Sequence, residues 1–475
     1  MAFFSIRFAV FLFVFLGIYW AVHKHRTARV GVIILASYAF YSTFNPLFLL
    51  LLFYLSLQDW FLAQQLNKIE SPGKRKALTA LSIVGSLGLL CVFKYTNFFI
   101  NIPYDIAEQF GAYYPERPHY NIPHPIGLSF YALQTISYIV DVYRRRIEPN
   151  RSFLDHLLYM SFFPRLLVGP IVRAEQFVNQ IGQTPKVTRE QFGMALFLLA
   201  GGLIKKQLLA DYLALNLTDK VFDIPLMFSA TEVLLAIFSN LIQIYCDFSG
   251  YTDIALGLAL LMGYQLPSNF NFPFKSVNLR EFWRRWHITL SMWLRDYLYI
   301  PLGGSRVKQW RVYFNLLVTF TLAGLWHGAT WGWVAWGSVT GIGLIITHIW
   351  HKWRHVEKAV PEDMGIGRVL GIAGTTLFML LSTVLIHQTS FQGMKDVYQA
   401  ASSGIWKPEN LSYWVPVIIV VAFIGMYFPD KWYLAIRRTF IKLPIIVQIL
   451  LFAAVIAFLF KVASASLVPF VYGEF

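Results

Sequence analysis

The chain has 475 residues, of which 57% are apolar and 14% are charged, whereas soluble domains carry about 25% charged residues. This composition, with a mean hydropathy of +0.53, excludes a soluble globular protein and indicates a polytopic membrane protein. A net charge of +15 would suggest a nucleic-acid partner in a soluble chain. Here the basic residues fall between apolar segments, as in proteins oriented in a lipid bilayer, so no nucleic acid is expected.

The apolar segments predict an all-α protein with about eleven or twelve membrane helices, because a helix needs roughly 17 to 25 residues to cross a bilayer. The first segment is interpreted as a membrane helix and not a signal peptide, since Arg7 is its only early basic residue and no small-residue cleavage site precedes His23. No repeat or soluble domain is evident, so 1–475 is predicted to be one integral membrane domain. The predicted segments are 4–22, 29–45, 46–66, 77–100, 125–143, 190–214, 231–263, 312–328, 330–351, 367–390, 413–428 and 443–465.

Basic clusters alternate with segments that are far less basic. The clusters lie near residues 24, 74 and 145, over 275–311, near 353 and over 431–442, whereas the less basic segments are 100–123, 216–230 and 391–412. Positively charged loops stay in the cytoplasm. A bacterial cytoplasmic (inner) membrane protein with its N-terminus outside and the basic loops inside is therefore expected.

One segment in the first half of the chain fits no straight membrane helix. Residues 154–172 carry Arg165, with Pro164 beside it and Pro170 five residues later. An arginine and two prolines are unfavourable in a lipid-facing helix, so a re-entrant or interfacial element is predicted.

In residues 243–274, Asp247 and Asp253 lie beside an otherwise apolar stretch. Asp247 and Ser249 could be a base and a nucleophile, but no histidine is local, and Gly250 with Tyr251 is interpreted as a helix interruption. Asp247 and Asp253 are instead expected to support the structure by pairing with arginines of the next segment. Lys205 and Lys206, inside the 190–214 segment, need partners for the same reason.

The segment 280–304 is dense in tryptophan and arginine. An amphipathic helix at the cytoplasmic interface would explain this composition. The alternative is a helix that faces the protein, on which Trp283, His287 and Ser291 lie one above another at a spacing of four residues. The arginines Arg284, Arg285 and Arg295 could then bind an anion.

The stretch 312–337 places a histidine within an apolar helix. No ionisable side chain except Tyr313 precedes His327, and Trp326 and further tryptophans adjoin it. An ionisable group at membrane depth indicates a functional site, although a buried polar residue that joins two helices is an alternative. Gly324 and Gly328 should let another backbone or a ligand approach His327 closely.

A metal site is weighed and not predicted. His348, His351 and His355 could share a helical face, which is compatible with zinc, but the tryptophans and basic residues among them are typical of an interface belt. The chain contains no HExxH, paired CxxC, P-loop or GxGxxG motif. No bound metal or cofactor is therefore expected.

The order of several motifs resembles the membrane-bound O-acyltransferase family, in its bacterial branch of alginate and peptidoglycan O-acetylation proteins and teichoic acid D-alanylation proteins. The similar stretches are HPIGLSFYALQTISYIVDVYR, FFPRLLVGPIVR, IYCDFSGYTDIALG, LPSNFNFPF, FWRRWHITLSMWLRDYLYIPLGG and LAGLWHGATWGW. One departure is IHQTSF at 386–391, where this branch often has an aromatic residue followed by arginine.

The resemblance implies membrane helices around a central tunnel, a cytosolic acyl donor and delivery of the acyl group to the outer side. It carries the family's two histidines onto His287 and His327, which become the expected catalytic residues. The donor would be acetyl-CoA or a similar thioester, and its phosphates would meet the cations Lys275, Arg280, Arg284 and Arg285.

An acetyltransferase acting on a hydroxyl for an envelope or secreted polysaccharide is therefore expected, with an extracytoplasmic hydrolase-like acetyltransferase as partner. Three alternatives stay open: a transporter that moves an acyl carrier through a pathway of Lys205, Lys206, Asp247 and Asp253, a structural scaffold, and teichoic acid D-alanyl transfer.

Overall fold

A computed structural model describes residues 1, 3–112, 114, 116–354, 365–388 and 391–462, and over these residues the chain contains helices and no strands. The chain divides into two compact units. The first comprises 1–187 with 262–266, and the second comprises 188–261 with the described residues from 267 onward.

Eight α-helices lie in the described part of the first unit, and a π-helical turn at Cys91–Tyr95 joins the fourth to the fifth. They are α1 (Ile6–Val22), α2 (Arg26–Ser42), α3 (Phe48–Lys68), α4 (Pro72–Leu90), α5 (Thr96–Gln109), α6 (Leu128–Tyr143), α7 (Phe153–Ser161) and α8 (Ala174–Ile181).

Twelve α-helices of the second unit lie in its described part. They are α9 (Arg189–Leu203), α10 (Asp219–Asp223), α11 (Ala230–Leu261), α12 (Leu279–Arg285), α13 (Ile288–Leu294), α14 (Gln309–His327), α15 (Trp331–Trp353), α16 (Gly365–His387), α17 (Phe391–Ala401), α18 (Trp414–Tyr427), α19 (Asp430–Lys442) and α20 (Ile445–Val462). π-Helical segments at Ile204–Asp211 and Ala214–Thr218 follow α9, and another at Arg295–Tyr299 follows α13.

Several helices begin at side chains that satisfy their first backbone amides. Before α9, the Gln191 N–H donates to Thr188 Oγ1 at 3.1 Å and the Thr188 N–H donates to Gln191 Oε1 at 2.9 Å. Before α12, the Glu281 N–H donates to Asn278 Oδ1 at 2.9 Å. A cap of this kind contributes about 1 kcal/mol to helix stability and fixes where the helix starts.

Six helical stretches of the described residues are long and apolar enough to cross a membrane, which confirms a polytopic membrane protein. They are Pro72–Glu108, Arg189–Asp223, Ala230–Leu261, Trp331–Trp353, Gly365–His387 and Ile445–Val462, and a seventh results if α18 and α19, bent by 93°, are counted as one. Helix α14, which carries His327, is not among them. Each of the twelve predicted segments falls largely on a helix, but the number of crossings stays a prediction.

Two predictions of local structure are wrong. The loop expected over 100–123 begins later, because α5 continues to Gln109 through Pro103, whose missing N–H removes only one backbone hydrogen bond. Gly250 does not interrupt α11. It is there for packing, since a Cβ at Gly250 would lie 2.8 Å from the backbone oxygen of Gly202.

The prediction that 154–172 does not form a straight helix is confirmed. Helix α7 ends at Ser161, a 3-10 turn covers Phe163–Arg165, and irregular chain leads to α8. Arg165 is 5% exposed, and its Nη1 donates to Gln134 Oε1 at 2.5 Å. The buried guanidinium therefore bonds to neutral oxygens of its own unit.

Candidate functional site

Helices α14 and α15 form a tight hairpin that holds His327 at the end of α14. A Cβ at Gly324 would lie 2.2 Å from the Trp333 backbone oxygen, and one at Gly337 would lie 2.3 Å from the Phe320 backbone oxygen. The two backbones are therefore in contact where any larger residue would separate them. The close approach expected from Gly324 is confirmed.

The His327 ring lies among tryptophans and is only 7% exposed. It stacks on Trp333, with ring centroids 5.2 Å apart and an interplanar angle of 20°. Trp326 and Trp336 meet it edge-on, at 4.8 and 5.8 Å. These rings leave little room for bulk water beside the imidazole.

His287 lies at a sharp break between α12 and α13, so the prediction of one helix with Trp283, His287 and Ser291 on one face is wrong. Its backbone is left-handed, with φ 41° and ψ 55°, a conformation that costs a residue other than glycine about 1 to 3 kcal/mol. Contacts with residues distant in sequence hold the break, and helical periodicity does not reveal them.

The break brings the two predicted catalytic histidines together. The ring centroids of His287 and His327 are 6.3 Å apart, and the ring of Phe248 in α11 meets His287 edge-on, with centroids 4.5 Å apart. His287 is 1% exposed, and neither of its ring nitrogens has a hydrogen-bond partner among the described residues. Burial lowers the pKa of the His287 imidazole, which lies outside the membrane-capable helices, so the ring is neutral at pH 7.

A cavity of about 210 Å³ is lined by most of the polar residues predicted from the 280–304 segment, but His287 and His327 are not among its lining residues. Its walls include Arg280, Trp283, Arg284, Ser291, Arg295 and Thr319. Three of the lining residues are arginines, of which Arg295 pairs through Nε with Asp296 at 2.7 Å. Arginines at an otherwise largely apolar cavity suit an anionic ligand with an apolar or neutral arm.

Two of the predicted donor-binding cations have partners elsewhere. Arg285 pairs with Glu281 at 2.8 Å, one helical turn away. Lys275 donates to the Phe428 backbone oxygen at 2.5 Å and pairs with Asp430. Neither residue lines the cavity. Of the four predicted donor-binding cations, only Arg280 and Arg284 are among its lining residues.

Aromatic rings connect the cavity to His327. Trp283 contacts Phe320 at 5.1 Å and Trp336 at 5.9 Å, and Trp336 in turn contacts His327. Trp283 Nε1, Trp336 Nε1 and Thr319 Oγ1 are buried without hydrogen-bond partners among the described residues. The sequence interpretation did not include Thr319. Its hydroxyl group in an apolar helix, two turns before His327, could have indicated this residue.

The carboxylates of α11 pair with lysines, so the predicted pairing with arginines is wrong. Lys206 Nζ lies 2.7 Å from Asp247 Oδ1 and 2.7 Å from Asp211 Oδ1, and Lys205 Nζ lies 2.5 Å from Asp253 Oδ2. Both lysines belong to the π-helical segment Ile204–Asp211, whereas Arg285 pairs with Glu281 and Arg295 with Asp296. Ser249 Oγ is buried with no hydrogen-bond partner among the described residues, so Asp247 does not activate it.

The zinc alternative on α15 depends on three histidines, of which the structure describes His348 and His351. No group of three histidine, cysteine, aspartate or glutamate side chains in the described part of the chain could hold a metal ion. His355, the third residue of the proposed face, lies outside the described residues.

Comparison with known proteins defines the class. Residues 33–385 match the sequence model of the membrane-bound O-acyltransferase family, so the chain belongs to this family and is an acyltransferase. This confirms the resemblance inferred from its motifs.

Individual relatives act on bacterial polymers. The chain is 35% identical over 413 residues to a probable alginate O-acetylase of Pseudomonas aeruginosa, covering 85% of this chain and 75% of that protein. It is 34% identical over 360 residues to a peptidoglycan O-acetyltransferase of Helicobacter pylori, covering 70% and 66%. It is 28% identical over 264 residues to a teichoic acid D-alanyltransferase of Bacillus subtilis, covering 52% and 65%.

Proposed function

We propose that the protein transfers an acetyl or similar short acyl group from a cytosolic thioester to a hydroxyl, for O-acetylation of an alginate-type or peptidoglycan-type polysaccharide. The observation that carries the proposal is the buried pair of His287 and His327, 6.3 Å apart, which ring contacts through Trp336 and Trp283 connect to a cavity whose lining includes three arginines. Acetyl is favoured over D-alanyl because the two O-acetylating relatives are more similar to this chain than the D-alanyltransferase.

His327 acts as the general base in this proposal. It removes the proton of the acceptor hydroxyl while the oxygen attacks the thioester carbonyl carbon. A neutral His287 donates a hydrogen bond to the oxyanion that forms. The carbon–sulfur bond then breaks, and the proton passes from His327 to the departing thiolate, so that the products are the ester and the free thiol.

The arginine-lined cavity is proposed to bind the donor. Arg280, Arg284 and Arg295 would pair with phosphate oxygens of acetyl-CoA or a similar thioester. Thr319 Oγ1 and Trp283 Nε1, which have no hydrogen-bond partner in the described part of the chain, would bond to amide groups of the arm that carries the thioester. Each bond would satisfy a group that is costly to leave unpaired.

The ion pairs of α11 support acyl transfer over transport. A carrier pathway through Lys205, Lys206, Asp247 and Asp253 would need these charges to meet a passing ligand. Instead they are within 2.7 Å of one another in pairs, an arrangement typical of structural support.

The setting that we propose follows the charge pattern of the sequence. The protein lies in the bacterial inner membrane with its N-terminus outside, the donor binds on the side of the basic loops, and the acyl group leaves on the other side. An extracytoplasmic hydrolase-like acetyltransferase would complete delivery to the polysaccharide.

The test measures covalent transfer by the purified protein in lipid nanodiscs. Acetyl-CoA labelled in the acetyl group is supplied with alginate-type or peptidoglycan-type oligosaccharides, and release of the thiol is followed beside ester formation. General-base catalysis contributes about 10² to 10⁴ in rate, so His327→Ala and His327→Asn should lose at least about 99% of turnover while still binding donor. The matched control, His348→Asn on α15, should stay within about twofold of wild type, since no role in proton transfer is assigned to it.

Two results would contradict the proposal. Labelled acetyl groups that accumulate without an ester would favour transport. Retention of more than about a tenth of turnover by His327→Asn would exclude proton transfer as the task of this residue.

A further inference from the structure

Asn269, in the segment between α11 and α12, bonds to the chain directly after His287. The Ile288 N–H donates to the Asn269 backbone oxygen at 2.9 Å. The Thr289 N–H and hydroxyl both donate to Asn269 Oδ1, at 3.2 and 2.7 Å. Three hydrogen bonds from two consecutive residues thus converge on one side chain and its own backbone.

These bonds fix which way the carboxamide is oriented. A backbone N–H can only donate, so the atom facing Thr289 must be the amide oxygen. Nδ2 therefore points elsewhere, and it is buried without a hydrogen-bond partner among the described residues, although Asn269 is fully buried. Leaving such a donor unpaired costs about 1 to 3 kcal/mol, so a role in geometry explains this residue better than a role in stability.

The geometry that needs support is the break at His287. Its left-handed backbone, with φ 41°, persists only where the surrounding structure imposes it. The Asn271 N–H donates to the Arg285 backbone oxygen at 2.9 Å on the other side of the break. Without the bonds to Asn269, the backbone at His287 loses contacts that support its left-handed conformation, so the imidazole can shift relative to His327.

We infer that Asn269 is a positioning residue for acyl transfer, which holds His287 against His327 through its hydrogen bonds to Ile288 and Thr289. This inference rests on the proposed function. A displacement of about 1 Å at a reacting group can cost about a hundredfold in rate, so the loss should appear in kcat, whereas the donor cavity is formed by other residues.

The experiment compares Asn269→Ala, Thr289→Val and the double variant, with acetyl-CoA and an alginate-type oligosaccharide as substrates. Asn269→Ala, which removes the two bonds from Thr289 and keeps the backbone bond from Ile288, should lower kcat about 10- to 100-fold with the KM for acetyl-CoA within about twofold. Thr289→Val, which removes one of the bonds, should lower kcat less than Asn269→Ala does. Thr289→Ser, which keeps the hydroxyl, should have a higher kcat than Thr289→Val, close to that of the wild type. Asn271→Ala is the matched control, because that exposed side chain belongs to the same segment and should be dispensable.

Because both substitutions break the same link, the double variant should be no slower than Asn269→Ala alone. If the fold-losses in kcat of the two single variants multiplied in the double variant, the inference would be overturned. A folded Asn269→Ala protein with wild-type kcat would also overturn it. If Asn269→Ala does not fold, the difference between valine and serine at Thr289 decides the question. A wild-type protein that forms no ester would refute the proposed function itself and is a separate outcome.

Discussion

Replacing Lys206 by methionine should strongly destabilise the second unit, because the lysine neutralises two carboxylates inside it. The Lys206 side chain is 1% exposed and that of Asp247 is 0% exposed. Methionine fills much of the same volume but leaves Asp247 and Asp211 without the ammonium group that lies 2.7 Å from each.

The expected loss follows from the cost of an uncompensated buried charge. Removing one partner of a buried ion pair typically costs about 3 to 5 kcal/mol. Neutralising an aspartate of ordinary pKa at pH 7 would cost about 4 kcal/mol, which gives the same range. The neighbouring Lys205 provides the matched control, since it and Asp253 are each 23% exposed, and Lys205→Met should cost about 1 kcal/mol.

Unfolding in mixed micelles with an increasing fraction of SDS would measure these free energies. Adding Asp247→Asn to Lys206→Met should recover part of the lost free energy of unfolding, because it removes one of the two carboxylate charges left without a partner ammonium group. If the double variant were less stable than Lys206→Met by the full cost of Asp247→Asn alone, the two residues would be energetically independent, and the reasoning would be refuted. Equal destabilisation by Lys205→Met and Lys206→Met would also contradict it.

Three further predictions concern the cavity, the hairpin and the orientation. Arg284→Ala should raise the KM for acetyl-CoA about tenfold or more with little change in kcat, as measured by steady-state kinetics, because a desolvated charged hydrogen bond contributes about 1.5 to 3 kcal/mol. Gly324→Ala should cost about 1 to 3 kcal/mol in the same unfolding assay, since the new methyl group would meet rigid backbone. Gly374→Ala, with nothing within 4 Å of its Cβ, should be neutral or stabilising. In a background without the native cysteines, a membrane-impermeant thiol reagent added outside should label Glu116→Cys and not Lys74→Cys, which lie near opposite ends of the Pro72–Glu108 stretch. Labelling of residue 74 from outside would reverse the proposed orientation.

The amino-acid sequence was sufficient to predict the class of this protein and its catalytic candidates. Long apolar segments must form helices in a bilayer, because no water is available there to bond to open backbone groups. The ordered motifs around His287 and His327 predicted the family that the comparison confirmed. Glycines beside His327 correctly predicted a close backbone approach, since a residue without a side chain in a helix allows contact at short range.

Only the tertiary structure determined how the site is assembled. Periodicity placed Trp283, His287 and Ser291 on one helical face, but His287 has a left-handed backbone, and the chain directly after it bonds to Asn269. Charge pattern alone could not assign Asp247 to Lys206, because the pairing depends on a π-helical segment and on the glycine contact between α9 and α11. The cavity likewise depends on tertiary structure, because its lining residues come from α12, α13, α14 and α15 together. At each of these places, contacts between residues distant in sequence determine the local structure. This is because a buried charge needs an opposite charge beside it and a strained backbone needs supporting bonds, and both come from other parts of the fold.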